Sequence, residues 1–159
     1  MAANQMIIES ISDHLDLIET IGRWHWNEWG HADPDGSLES WIAGIAQRVE
    51  RAAIPTTFVA LSTDQGLLGS VTLVDCDMET HSELSPWLAG LYVRPDARNQ
   101  GVGSALVKHA MDQVSLLGFP TLYLYTSTAE NLYLGIGWEV IDHDRYEGDD
   151  VTIMSFNLG

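Results

Sequence analysis

The residues with the clearest chemistry are Arg98-Asn99-Gln100-Gly101-Val102-Gly103-Ser104. An apolar run, Leu88 to Val93, ends at Arg94-Pro95, and after a short polar link the two glycines open a segment of helical period. In that segment Val102, Leu106, Ala110, Val114 and Leu117 recur at three- and four-residue spacing, and Gly118 with Pro120 supplies the stop. Strand, turn and helix follow one another. A helix start with glycines just inside it leaves backbone N–H groups unpaired and approachable, and the helix dipole adds positive potential there, so the turn suits a phosphate. A dinucleotide fingerprint would need a further glycine where Leu106 stands, and a P-loop would need lysine between Gly103 and Ser104. Both fail. A second reading of the same glycines is that they only let a helix pack closely on a sheet.

The pattern Arg-x-x-Gly-x-Gly after a strand ending in Val-x-Pro resembles the acyl-CoA-binding motif of the GNAT superfamily of N-acyltransferases. The resemblance implies that Arg98, Gly101, Val102, Gly103 and Ser104 line the CoA pyrophosphate, with Leu91 and Val93 offering backbone to pantetheine. Leu132-Tyr133-Leu134-Gly135-Ile136-Gly137-Trp138 resembles the second signature of that family, in which the tyrosine protonates the departing thiolate. A phenol of pKa about 10 is protonated at neutral pH and can serve a thiolate whose conjugate acid lies near about 8.5. The alternative for Tyr133 is core packing with its hydroxyl at the surface. Many relatives carry an asparagine seven residues earlier, where this chain has Thr126.

An acceptor amine of pKa about 10.4 is roughly 0.04% neutral at pH 7, so forming the nucleophile costs about 4.6 kcal/mol unless a base takes the proton. Family members often carry a glutamate on the central strand, but Leu88 to Val93 holds no acid. The nearest are Asp75, Asp77, Glu79 and Glu83, and Asp77 is the preferred base; a solvated loop acid explains each equally well. Backbone N–H groups near Leu91 would serve the oxyanion. In this fold the acceptor pocket draws on the first two helices and the segment before the central strand. That points to Trp29, Trp87, His25 and Glu28 as an aromatic, acidic cleft for a cationic amine, against core or rim packing of the tryptophans. The histidines have no ligand-like spacing with cysteine or paired carboxylates, so no metal is expected.

These residues require positioning elements. Gln5 to Ser10, carrying Met6, Ile7 and Ile8, reads as a short first strand, and Ser12 or Asp13 caps a helix with Leu15, Ile18, Ile21 and Gly22 on one face, leading into Trp24-His25-Trp26-Asn27-Glu28-Trp29-Gly30-His31. Ser37 or Ser40 starts a second helix through about Arg51. Thr57 to Leu61 and Leu67 to Asp75 form a hairpin about Asp64-Gln65-Gly66. After the central strand and helix come a strand at Thr121 to Tyr125, a short helix at Thr128 to Leu134, and strands at Trp138 to Ile141 and Val151 to Asn157 joined by an acidic loop. This order resembles the GNAT fold over essentially the whole chain. It implies one α/β (α+β) domain across residues 1–159, with a mixed, mainly antiparallel sheet, splayed central strands and flanking helices.

The chain has 159 residues, 45% hydrophobic, enough for one continuous core. Its net charge of −16 makes nucleic acid an improbable partner, whereas Arg94, Arg98 and Lys108 outnumber Asp96 near the glycine turn and draw an anion. No apolar run spans a membrane, Met1 to Gln5 lacks a secretory pattern, and the lone Cys76 forms no internal disulfide, so a cytoplasmic setting is the default. The leading expectation is an acetyl-CoA-dependent N-acetyltransferase acting on a primary amine of a small molecule or peptide, with a homodimer left open. The alternatives are a catalytically silent acyl-CoA-binding sensor of the same fold, and an acidic interaction protein that binds no CoA.

Overall fold

The structure, a computed structural model, describes residues 5–159; residues 1–4, read above for a secretory pattern, lie outside them. Strand β4 (Trp87–Val93) is the middle of a seven-stranded sheet. On one side lie β3 (Gly66–Val74), β2 (Thr56–Ser62) and β1 (Met6–Ser10), each antiparallel to its neighbour. On the other lie β5 (Thr121–Thr126), β7 (Asp149–Asn157) and the edge strand β6 (Glu139–Tyr146). Among the described residues only β4 and β5 run parallel, because α3 (Val102–Leu116) crosses between them, as the sequence order requires.

Helices cover both faces, and the alternation along β2 records it. Phe58 and Ala60 face Val102, Leu106, Val107 and Ala110 of α3, whereas Val59 packs with Ile21 and Ile45. Those two isoleucines belong to α1 (Ile18–Trp29) and α2 (Leu38–Ala46), which cross where Gly22 meets Ile42. A β-carbon on Gly22 would lie 2.7 Å from the Ile42 backbone, so the residue expected only on an apolar face is the contact that lets the helices touch. Ser37 starts α2 through a reciprocal cap with Ser40, 3.0 and 2.9 Å. A short α4 (Glu130–Ile136) ends at the left-handed Gly137.

Three boundaries differ from expectation. Residues 11–17 form two 3-10 turns, so α1 begins later and absorbs the aromatic passage through Trp29. Helix α2 stops at Ala46, leaving Arg48, Val49 and Arg51 beyond its end. The acidic loop expected after Ile141 is mostly strand: β6 runs to Tyr146 and turns through Glu147 (φ 51°) and Gly148 (φ 89°) into β7. Both faces of β6 are largely exposed, so its charged residues show no alternation to read.

Candidate active site

Strands β4 and β5 share a single pair, Trp87 with Tyr123, reinforced by the Tyr123 N–H donating to Pro86 O at 3.1 Å. Beyond it the strands part, each tied to its outer neighbour. From Leu88 onward β4 has no pairing partner on its β5 side among the described residues. At the same place Gly90 and Leu91 together stand against Val71 of β3, a bulge in which Gly90 takes φ +59°. A β-carbon on Gly90 would lie 3.0 Å from Cε1 of His25, so glycine answers two demands there. Gly90→Ala should cost about 1–3 kcal/mol in urea unfolding, less in a His25→Ala background; an unchanged midpoint would show that the imidazole does not brace the bulge.

The parting strands floor a cleft of about 840 Å³. Of the residues singled out from sequence, His25, Glu28, Trp29, Asp77, Leu91 and Tyr133 all line it. Asp75, Glu79 and Glu83 do not, which separates Asp77 from the other three acids. Burial, with the Glu147 charge assisting and Arg48 opposing, raises the Asp77 carboxyl to about 6. His25 is buried and its Nε2 has no partner among the described residues; burial, then Arg48, lowers it to about 4, so the ring is neutral at pH 7. Burial alone pushes the Tyr133 phenol up. It is therefore fully protonated, and a weaker acid than a free phenol.

Trp87 is a correction. It is fully buried with Val74, Met78, Val151 and Ile153, and its indole N–H donates to Leu84 O at 2.6 Å. It closes the root of the opening instead of touching an acceptor. Thr126, in the place of the family asparagine, accepts from the N–H groups of Ala129 (2.9 Å) and Thr128 (3.3 Å), holding the turn that leads into α4.

The glycine turn reaches this cleft through Leu91, which lines it and lies 3.9 Å from an ideal β-carbon at Gly103. Gly101 has φ +85° and nothing within 4 Å of its ideal β-carbon; that of Gly103 is 3.7 Å from Val93 and 3.9 Å from Leu91 and Leu132. Neither distance is a close approach, so the reading in which these glycines serve only tight helix–sheet packing loses its ground. The first bond into α3 runs from Ala105 N–H to Gly101 O at 3.0 Å, leaving the Val102, Gly103 and Ser104 N–H groups without an acceptor among the described residues. Arg98 donates to Val93 O at 2.8 Å and lies 5.4 Å over the Tyr92 ring, fixed at the end of β4. This geometry fits a pyrophosphate held by backbone N–H groups, with pantetheine along Leu91 and Val93. Among the described residues no His, Cys, Asp and Glu side chains gather as a metal site needs, and no helix is long and apolar enough to cross a membrane.

Sequence reasoning missed Gly90, Arg48, Tyr125 and Tyr146, all near or lining the cleft. A lone glycine inside an apolar strand run was the available signal for the bulge. The other three come from the end of α2, β5 and the β6–β7 hairpin, and only the fold unites them.

A search of curated proteins gave no match. Solved structures similar over nearly the whole chain include the Vibrio cholerae spermidine N-acetyltransferase in complex with CoA and spermine (17% identity, TM-score 0.70, covering 98% of this chain and 96% of that one). They also include yncA of Salmonella typhimurium with its cofactor acetyl-CoA (16%, TM-score 0.72, 98% and 95%). A GNAT-family acetyltransferase of Streptococcus pneumoniae is similar too (16%, TM-score 0.69, 97% and 99%). The sequence pattern of the acetyltransferase (GNAT) family matches residues 18–136, and the chain belongs to that family, acetyl-CoA-dependent N-acetyltransferases.

Proposed function

We propose that the protein transfers an acetyl group from acetyl-CoA to a primary amine by direct attack in a ternary complex. Bound acetyl-CoA supplies the activated thioester carbonyl. The reading rests chiefly on one observation: the cleft where β4 leaves β5 is lined by Tyr133, Asp77 and the bulged Gly90–Leu91 backbone, and Leu91 also lies beside Gly103 at the start of α3, whose first N–H groups are free. Asp77 takes the ammonium proton, directly or through water, and the backbone donors near Leu91 receive the carbonyl oxygen; as the carbon–sulfur bond breaks Tyr133 donates to sulfur and regains the second proton shed by the acylated nitrogen. Glu28, Asp33, Asp77, Glu147 and Asp149 line the cleft against Arg48 alone, which favours a positively charged acceptor. The Vibrio neighbour, solved with spermine, is one reason to include polyamines in an acceptor panel.

A carboxyl raised to about 6 makes a signed prediction. kcat/KM should rise through about pH 6 and fall roughly tenfold per unit below it, and Asp77→Asn should remove that limb. Stability moves oppositely. Asp77 ionises near 3.9 in the unfolded chain and about 6 when folded, so it contributes nothing below about 3.9 and destabilises progressively as pH rises through that window. Asp77→Asn should therefore gain roughly 1–3 kcal/mol at pH 7 and little at pH 3. A pH–rate profile unaffected by Asp77→Asn would remove it as the base.

A further inference from the structure

Five of the six arginines have a partner. Arg23 bonds Glu19, Arg51 bonds Asp13, Arg94 bonds Asp96, Arg98 bonds Val93 O and Arg145 bonds Asp150. Arg48 has neither a hydrogen bond nor an ion pair from its guanidinium among the described residues, although it is half-buried and lines a cleft with five carboxylates. A guanidinium carries N–H donors in a planar fork suited to a carboxylate, and leaving them idle in a partly dry wall is unfavourable. Position sharpens the point. Arg48 lies just past α2, its N–H bonded to Ile45 O at 2.9 Å, close enough to Asp77 to oppose the rise of that carboxyl without pairing with it.

We propose that Arg48 binds a carboxylate of the acceptor, so that the acceptor is an amino acid and not a plain amine. This rests on the amine-acceptor reading above. The carboxylate lies on Arg48 and the reacting nitrogen beside Asp77, two poles of opposite sign on one wall. Asp33 is already engaged by the Trp41 indole N–H at 2.8 Å, while Glu28, Glu147 and Asp149 line the same cleft and suit a further positive charge, so a basic amino acid matches the other charged groups there. A purely structural role, a cation complementing the C-terminal end of α2, predicts no discrimination between acceptors.

Matched pairs read the difference: lysine against cadaverine, and ornithine against putrescine, each pair differing only by the carboxylate. Binding to the CoA-loaded protein would be measured by calorimetry, and turnover by thiol release. The wild type should favour the amino acid of each pair by roughly 100-fold in both readouts. Arg48→Met should bring the amino acid down to its diamine, and Arg48→Lys should recover part of the preference. Equal binding within the pairs, or a preference that survives Arg48→Met with an unchanged melting temperature, overturns the proposal. Arg48-dependent binding of lysine without thiol release supports the carboxylate site while removing the acetyl-transfer reading, so the two fail separately.

Discussion

Tyr133→Phe is expected to lower kcat by about 10²–10³ while leaving acetyl-CoA affinity nearly intact. The ring sits 5.9 Å edge-on from Trp138 in the core. Phenylalanine keeps that packing and removes one oxygen, so stability should move by less than about 1 kcal/mol. The loss would then lie in the chemical step. It should be largest with native thioesters and smaller with an acyl donor whose leaving group needs no proton. Equal kcat for the two proteins would take the acid role from Tyr133. A wild type that binds acetyl-CoA yet releases no thiol with any amine would favour the silent sensor.

Gly103→Trp should abolish acetyl-CoA binding. The β-carbon at position 103 points toward Val93, Leu91 and Leu132 at ordinary contact distance, between the start of α3 and the strand expected to run beside pantetheine. Gly103→Ala fits this space without displacing protein, so its melting temperature should match the wild type. The indole fills the approach to the Val102–Ser104 N–H groups. In thermal shift, acetyl-CoA at 100 times its dissociation constant should stabilise the wild type by about 2.7 kcal/mol and the tryptophan variant by almost nothing. A full shift in Gly103→Trp would move the cofactor elsewhere, and with it the whole cleft assignment.

What sequence could show followed from which interactions are local. The glycine turn was legible because helix starts and left-handed positions are decided within a few residues, and Gly101 with φ +85° is such a position. The strand–helix–strand order that makes β4 and β5 parallel was legible from periodicity. The hairpin about Glu147-Gly148 was not, since an edge strand exposed on both faces has no apolar alternation. Trp87 was misread for a related reason: a tryptophan beside a proline gives no hint whether its ring faces a cleft or fills the root beneath it. Asp77 is the preferred base from sequence, but the four acids are physically equivalent there, and only burial, which raises its carboxyl, sets it apart. Arg48 had no local signal at all; its meaning comes from lacking the partner that the other arginines have.

The single rung between Trp87 and Tyr123 divides seven strands into two hydrogen-bonded plates, one of four strands and one of three. What fastens the plates is mainly grease: Leu122, Leu124, Tyr133, Trp138 and Met154 share one apolar cluster with Leu88 and the inner face of α3. A greasy seam is non-directional, so the plates can shear slightly without breaking a ladder bond. Because apolar contact weakens on cooling and in urea, the seam should loosen under those stresses before either plate frays, and the mouth of the cleft would widen first.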